Sequence, residues 1–345
     1  MKKTSKRVNL NDIARMTGTS KSTVSRVLRK QSRVAPETRE RIERAIREYN
    51  YEPSLFARGM TGARTGLIGV LSRWMESGFF ADVIRGIDDE VKLHGGFLLC
   101  SFADDPDEYV RIWRSMSSGR QVDGMILVAP SMDIFHEAVE EDIKPTVLCA
   151  TSGTGDANGW QEMPAVTINN RKAMNDLVSF LASSGFRKLT HIAGLPDNFD
   201  AAERKRAFLN ATSEIPGLQG AVLEAACNSD QGYGLMQDYL STHSSLPDVF
   251  LAFNDSVAFG ALRALTDAGI RVPGDVGITG WDDISVAHDM ALTTVHMPVD
   301  DLGRTAARML LQKLDNEAAA PLQKVLTLEM PVCIRRSTMQ PDALA

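Results

Sequence analysis

From residue 66 onward the sequence alternates short apolar runs with amphipathic stretches, and this alternation restricts the fold more than any other feature. Residues 67–71 read as a strand, 80–94 as a helix, 97–100 as a strand, 107–116 as a helix and 124–128 as a strand. The cycle restarts at 165–168 and continues through strands at 189–193, 221–223, 249–253 and 276–280, with helices between. Strands separated by helices form parallel sheets covered on both faces. Two such runs predict an α/β body of two similar lobes.

The first 64 residues break this pattern in charge as well as in periodicity. They hold 16 Lys/Arg against 6 Asp/Glu, a charge of +10, whereas the remainder carries −16 within a net charge of −6. A basic head on an acidic body places any polyanion at the head. No run of 18 or more apolar residues exists, and the charged start of the chain lacks the apolar stretch of a signal peptide, so a cytoplasmic protein that enters no membrane is expected. Cys100, Cys149, Cys227 and Cys333 form no CxxC pair, and the six histidines show no metal-ligand spacing. No metal and no cofactor are expected.

Within the head, Asn9 is placed to cap a helix, and Gly18 ends it with a tight turn. Ser20 caps a second helix whose buried face is Val24, Val27 and Leu28. Its other face carries Lys21, Ser22, Ser25 and Arg26, followed by Arg29, with no acidic residue. Those side chains donate to phosphates and base edges. A third helix starts at Pro36, and its stripe Ile42, Ala45, Ile46 and Tyr49 closes a three-helix core. Two short helices about a glycine turn, the second basic and hydroxyl-rich, are the helix-turn-helix arrangement. A bundle with no DNA role does not account for the acid-free face.

Asp12-Ile13-Ala14, Gly18 and Ser22-Thr23-Val24-Ser25-Arg26-Val27-Leu28 resemble the head of the lac repressor family. Val34, Pro36-Glu37-Thr38-Arg39, Tyr51-Glu52-Pro53-Ser54 and Ala57-Arg58 continue the pattern. Thr17 and Thr19 depart from it, standing where the family usually has Ala and Val. The resemblance implies DNA contacts from Lys21, Ser22, Thr23, Ser25, Arg26 and Arg29. Composition alone reads 51–65 as an interdomain linker. The resemblance instead implies a hinge helix that folds on DNA, with Ala57 in it and Met60 in the place of the usual minor-groove leucine. For the body it implies the periplasmic-binding-protein type of fold, two lobes hinged by three crossings.

In open α/β sheets, ligands bind beyond the carboxyl ends of the strands. Arg73, Phe79 and Phe80 follow the first strand, and Asn198, Asp200 and Arg204 follow the strand at 189–193. Asn254 and Asp255 follow Phe253, and Trp281 and Asp282 follow Gly280. Carboxylates, amides, an arginine and aromatic faces suit a polyhydroxylated ligand. Each also has a plainer role. Asn254 and Asp255 cap a helix, Trp281 is core, and one of the two phenylalanines simply packs. Arg204 and Asp282 match positions that contact effector in the resembled family. Asn198 stands where purine-binding members carry Arg, Ala150 replaces a strand-end Asp, and Cys227 replaces an aromatic. Arg73 either pairs with an anionic effector such as a sugar acid or bridges the lobes.

The sequence is therefore read as a head at 1–50, hinge helix and linker at 51–65, an effector-binding and dimerisation domain at 66–337, and a tail at 338–345. Lobe 1 is expected at about 66–164 and 295–325, and lobe 2 at about 165–294 and 326–337. The expected function is a DNA-binding repressor controlled by a carbohydrate effector, acting as a homodimer on a pseudo-palindromic operator. A sugar-binding component of a transport system shares the body but lacks a basic head. An enzyme needs a nucleophile–base set, and no GxSxG, HExxH or phosphate-cradling loop is present.

Overall fold

The computed structural model describes residues 8–28, 34–49, 51, 64–72, 78–103, 105–118, 121–130, 144–150, 163–196, 198–224, 227–315 and 324–339. The chain divides into two compact units, Met1–Thr65 and Gly66–Ala345. Arg29, Ala57, Met60 and Arg73 lie outside the described residues.

The first unit is built from α1 (Leu10–Met16), α2 (Lys21–Leu28) and α3 (Pro36–Glu48). Asn9 and Asp12 form a reciprocal capping box at the start of α1. The side chain of Ser20 accepts from the Thr23 amide at the start of α2. Gly18 adopts φ +57° in the turn between them, a conformation glycine takes without penalty. Ile13, Val24 and Ile42 are fully buried and form the core with Ala14, Val27 and Ala45. Burying each large aliphatic contributes roughly 1.5–3 kcal/mol. Tyr49 does not join this core as its spacing predicts. It is exposed where α3 ends, and Tyr51 is buried in its place. Thr17 fits the core because its hydroxyl donates to the Ile13 carbonyl at 2.7 Å, with Thr19 Oγ1 2.9 Å away.

The second unit contains two parallel sheets. The first joins β1 (Leu67–Ser72), β2 (Phe97–Phe102), β3 (Gly124–Val128), β4 (Thr146–Cys149), β5 (Ala165–Ile168) and β11 (Val325–Leu328) in the order β11-β5-β4-β3-β1-β2. The second joins β6 (Lys188–Ile192), β7 (Gln219–Leu223), β8 (Val249–Ala252) and β9 (Gly277–Thr279) in the order β7-β6-β8-β9. β4 is a strand that the sequence alternation passed over. The lobe limits also shift. β5 and β11, expected in lobe 2, pair with each other in the first sheet, with Ala165 opposite Val325. The chain thus leaves the first sheet after Ile168, not before Ala165, and leaves it finally after Leu328. Hydrogen-bond pairing decides this, and apolar periodicity does not report it.

Helices cover the sheets: α4 (Gly78–Leu93), α5 (Pro106–Ser118) and α11 (Val299–Asp315) follow strands of the first lobe or return to it. α6 (Asn170–Ser183), α7 (Phe199–Glu214), α8 (Ser229–Thr242) and α9 (Asp255–Asp267) belong to the second, followed by the short α10 (Ser285–Asp289). β10 (Thr294–Val295) and β12 (Val332–Cys333) pair antiparallel where the chain passes between the lobes. Beside this pair, Asp283 accepts from Arg335 at 2.7 Å and meets His296 Nδ1 at 3.0 Å, joining both crossing strands to the end of β9.

Candidate functional site

On α2, Lys21, Ser22 and Arg26 are exposed and Thr23 and Ser25 half-buried, while Val24 and Val27 turn into the core. The sequence separates the two faces because apolar residues recur at helical spacing. The outward set carries two cations and three hydroxyls with no carboxylate in the helix, a surface suited to phosphates and base edges.

In the body, a cavity of about 450 Å³ opens beyond the carboxyl ends of strands from both sheets. Phe79, Phe80 and Ala129 line it from the first lobe. Asn198, Asp200, Arg204, Cys227, Asn228, Ser229, Asp230, Phe253, Asn254, Ser256 and Asp282 line it from the second, with Met297 at a crossing. Phe79 and Phe80 meet edge to face, their centroids 5.0 Å apart, and form an apolar wall.

Arg204 lies beneath the second-lobe wall and is almost wholly buried. Its Nε donates to Asn170 Oδ1 at 3.0 Å and its Nη1 to the Phe253 carbonyl at 2.9 Å. Its Nη2 points at Met297 Sδ, 3.8 Å away. The guanidinium carbon stands 4.9 Å from the Phe253 ring centroid and 4.4 Å from that of Trp281. Asn170 also donates to Asp200 at 2.7 Å. This buried amide, at the first residue of α6, therefore orients both members of a charged pair. Sequence reasoning did not include it, although it stands two residues beyond the strand at 165–168, where a search of strand ends reaches it.

Asp282 has φ +108°, a region that L residues rarely adopt. Its amide donates to the Val295 carbonyl at 2.9 Å, so the returning strand holds it there. Burial pushes its carboxyl well above the ordinary carboxylate range, against the pull of Arg204. Burial likewise raises Asp200, opposed by Arg204 and Asn170.

Two expected cleft residues stand elsewhere. Asp255 is fully buried and turned away: Oδ1 accepts from Thr294 Oγ1 at 2.6 Å and Oδ2 from the Ile284 amide at 2.9 Å. Trp281 is buried beneath Arg204 and does not line the cavity. Both follow strand ends in sequence, yet their side chains point into the lobe. Asn254 does line the cavity while capping α9 through its contact with the Val257 amide at 2.8 Å.

Three helices begin at this cleft in the same manner. Asn198, Asn228 and Asn254 cap α7, α8 and α9, and Asp200, Asp230 and Asp255 lie in the respective first turns. In each helix the asparagine side chain accepts from one first-turn amide.

A helix-turn-helix head with a basic outward face, joined to a two-lobed α/β body with a polar cleft at its strand ends, defines a DNA-binding transcriptional regulator with an effector-binding domain. Residues 9–54 match the bacterial regulatory proteins of the lacI family, and residues 178–338 match the periplasmic binding protein-like domain. The HTH-type transcriptional repressor PurR of Escherichia coli O1:K1 is 30% identical over 321 residues, covering 90% of this chain and 92% of that protein. Catabolite control protein A of Priestia megaterium is 27% identical over 338 residues, covering 96% and 99%. The lac repressor dimer bound to operator and the anti-inducer ONPF shares the fold, with TM-score 0.83 and 23% identity over 97% of this chain and all of that one. The transcriptional regulator CelR–cellobiose complex gives TM-score 0.69 at 26% identity over 96% and 100%. The chain belongs to the lacI family of bacterial regulatory proteins. It is a transcriptional regulator of the repressor type, not an enzyme. Among the described residues, no helix is long and apolar enough to cross a membrane.

Proposed function

We propose that this protein represses transcription by binding a pseudo-palindromic operator as a homodimer, and that a sugar or sugar derivative in the interlobe cleft controls that binding. The observation that carries this reading is the cleft itself. Asp282, Arg204 and Asn254 converge beside the Phe79–Phe80 wall in a cavity of about 450 Å³. Carboxylate and amide oxygens accept from sugar hydroxyls, and aromatic faces cover the apolar side of the ring. Asp282 and Arg204 read the effector, with Asn198, Asp200 and Asn254 around them. Asp255 and Trp281 support that set from below. Cellobiose in the complex of the CelR regulator favours a carbohydrate.

At DNA, Lys21, Ser22, Thr23, Ser25, Arg26 and Arg29 serve the major groove, and Ala57 and Met60 of the hinge segment serve the minor groove. One small head gives weak binding, and linking two heads raises effective concentration, so the dimer is the active species. The lac repressor dimer on its operator supports that arrangement. The protein acts in the cytoplasm, where its DNA is. Selection of fragments from a random DNA pool by the full-length protein tests this reading. The expected product is a two-fold symmetric site with half-sites about one helical turn apart. Enrichment of a lone half-site, or of nothing, contradicts it.

A further inference from the structure

The turn at 281–284 joins the cleft to the crossings between the lobes, and its role follows only if the cleft is the effector site. Asp282 and Asp283 have φ +108° and +58°. Two adjacent residues with side chains persist in this region where the surroundings hold them there. Three sets of bonds do so. From behind, Asp255 Oδ2 accepts from the Ile284 amide at 2.9 Å. From the returning strand, the Val295 carbonyl accepts from the Asp282 amide at 2.9 Å, and the Met297 amide donates to the Asp282 carbonyl at 3.3 Å. The third set is made by the Asp283 carboxylate.

Asp283 Oδ1 accepts from Arg335 Nη2 at 2.7 Å, and Oδ2 stands 3.0 Å from His296 Nδ1 and 3.6 Å from Cys333 Sγ. Cys333 ends β12, Arg335 stands two residues beyond it, and His296 follows β10. Arg335 Nη1 also donates to the Leu292 carbonyl at 2.9 Å, just before β10. The Asp283 and Arg335 side chains are 14% and 18% exposed, so breaking this pair is costly where breaking a surface pair is not. Burial raises the Asp283 carboxyl, and Arg335 and His296 more than offset it, holding it below the ordinary carboxylate range. Two neighbours thus divide two tasks. Asp282 lines the cavity. Asp283 does not line it and meets both crossing segments instead.

We infer that Asp283 is a positioning residue that couples occupancy of the cleft to the interlobe crossings: a ligand held by Asp282 acts on β10 and β12 through the neighbouring carboxylate. A ligand shifts an equilibrium between two arrangements by its differential affinity for them. Asp282 gives the ligand its hold on the turn, and the Asp283–Arg335 pair gives the turn its hold on the far crossing. Replacing Asp283 weakens the second hold and leaves the first, because Asp282 keeps its backbone bonds to Val295 and Met297.

The test uses the full-length protein, its selected operator and whichever of glucose, galactose, mannose and cellobiose binds most tightly in calorimetry. Sugar affinity is measured with and without operator, and operator affinity with and without sugar. The two factors must agree, because coupling between sites is reciprocal, and in the natural protein each is expected to be on the order of 5–150-fold. Asp283→Asn keeps the size of the side chain and tolerates positive φ. It should bind sugar within ~3-fold of the natural protein while both factors shrink at least ~3-fold. A purely structural role would lower the unfolding temperature and leave the factors alone. Unchanged factors overturn the inference and leave the cleft standing as an effector site. Loss of sugar binding itself also overturns it, since Asp283 would then serve recognition and not coupling. His296→Ala removes the half-exposed partner and should shrink the factors in the same direction. If Asp283→Asn does not fold, unchanged factors in His296→Ala overturn the inference. If none of the sugars binds the natural protein, the sugar reading of the cleft falls and the inference with it.

Discussion

Thr294 donates its hydroxyl proton to the buried Asp255 carboxylate at 2.6 Å and so ties the crossing strand β10 to the first residue of α9. The bond joins an element that returns towards the first lobe to one whose N-cap, Asn254, lines the cleft. Thr294→Val keeps the shape and removes the donor, leaving Asp255 Oδ1 buried without it. We expect a loss of about 1–3 kcal/mol in urea unfolding. A change within a few tenths would show that the bond carries no net stability.

Two buried groups give the stability a pH profile with opposing parts. His191 is fully buried, its Nδ1 against the Leu251 carbonyl at 2.9 Å and its Nε2 without a partner among the described residues. Burial lowers its pKa from 6.5 to about 4. The folded state therefore refuses a proton that the unfolded chain accepts, and stability present above 6.5 is lost as pH falls towards 4, by about 3 kcal/mol in total. Burial raises Asp255 in the opposite sense, from 3.8 to about 6. The folded state keeps a proton that the unfolded chain releases, so stability falls as pH rises from 3.8 to about 6. The two contributions offset each other across the shared window. Burial raises Asp200 and Asp282 in the same sense as Asp255, so relative to the natural protein Asp255→Asn should tilt the profile upwards between about pH 4 and 6.5, and His191→Gln should tilt it downwards. Identical profiles in both variants would contradict these assignments.

Gly260 sets how closely α8 and α9 approach. A Cβ on it would stand 1.9 Å from the Ser229 carbonyl oxygen, and Ser229 lines the cleft. Gly260→Ala must push the helices apart, and we expect a loss of roughly 1–3 kcal/mol from overpacking. Gly234, in α8, has open space where its Cβ would be. Gly234→Ala should gain up to ~1 kcal/mol from helix propensity. Thermal unfolding of the pair separates the packing effect from the propensity effect.

Arg26 is exposed on the acid-free face of α2. Arg26→Ala should weaken the selected operator roughly 10–100-fold and relax discrimination at one base pair per half-site. Fluorescence anisotropy on operator and on random DNA decides its role. Equal losses on both would assign Arg26 to a phosphate.

The fold class was legible because period and charge report it locally. Alternating apolar runs marked most strands of both sheets, and Gly18 with Val24 and Val27 marked the turn and inner face of the head. Lobe membership was not legible, because β5 and β11 are equally apolar in either sheet and only pairing assigns them. The candidate site was legible as a set of strand ends: Phe79, Phe80, Asn198, Asp200, Arg204, Asn254 and Asp282 line one cavity. Side-chain direction was not. Asp255 and Trp281 follow strands as closely as Asp282 does, yet of the three only Asp282 lines the cavity. Asn170 follows the strand at 165–168 as Asn254 follows the strand at 249–253, so its position was legible, but its role appears only through its bonds to Arg204 and Asp200.

The central claim is that occupancy of the cleft governs DNA binding, and Asp282 offers the cleanest access to it. Its carboxylate lines the cavity and accepts no hydrogen bond from the described residues, so its replacement costs the fold little, whereas Arg204 anchors three neighbours. Operator affinity should be measured by fluorescence anisotropy, with and without the sugar that binds most tightly in calorimetry, for the natural protein and Asp282→Asn. The account predicts that both bind the operator equally without sugar and that sugar changes the affinity of the natural protein alone. An unaltered sugar response in Asp282→Asn, or operator binding by the natural protein that sugar does not change, would contradict it.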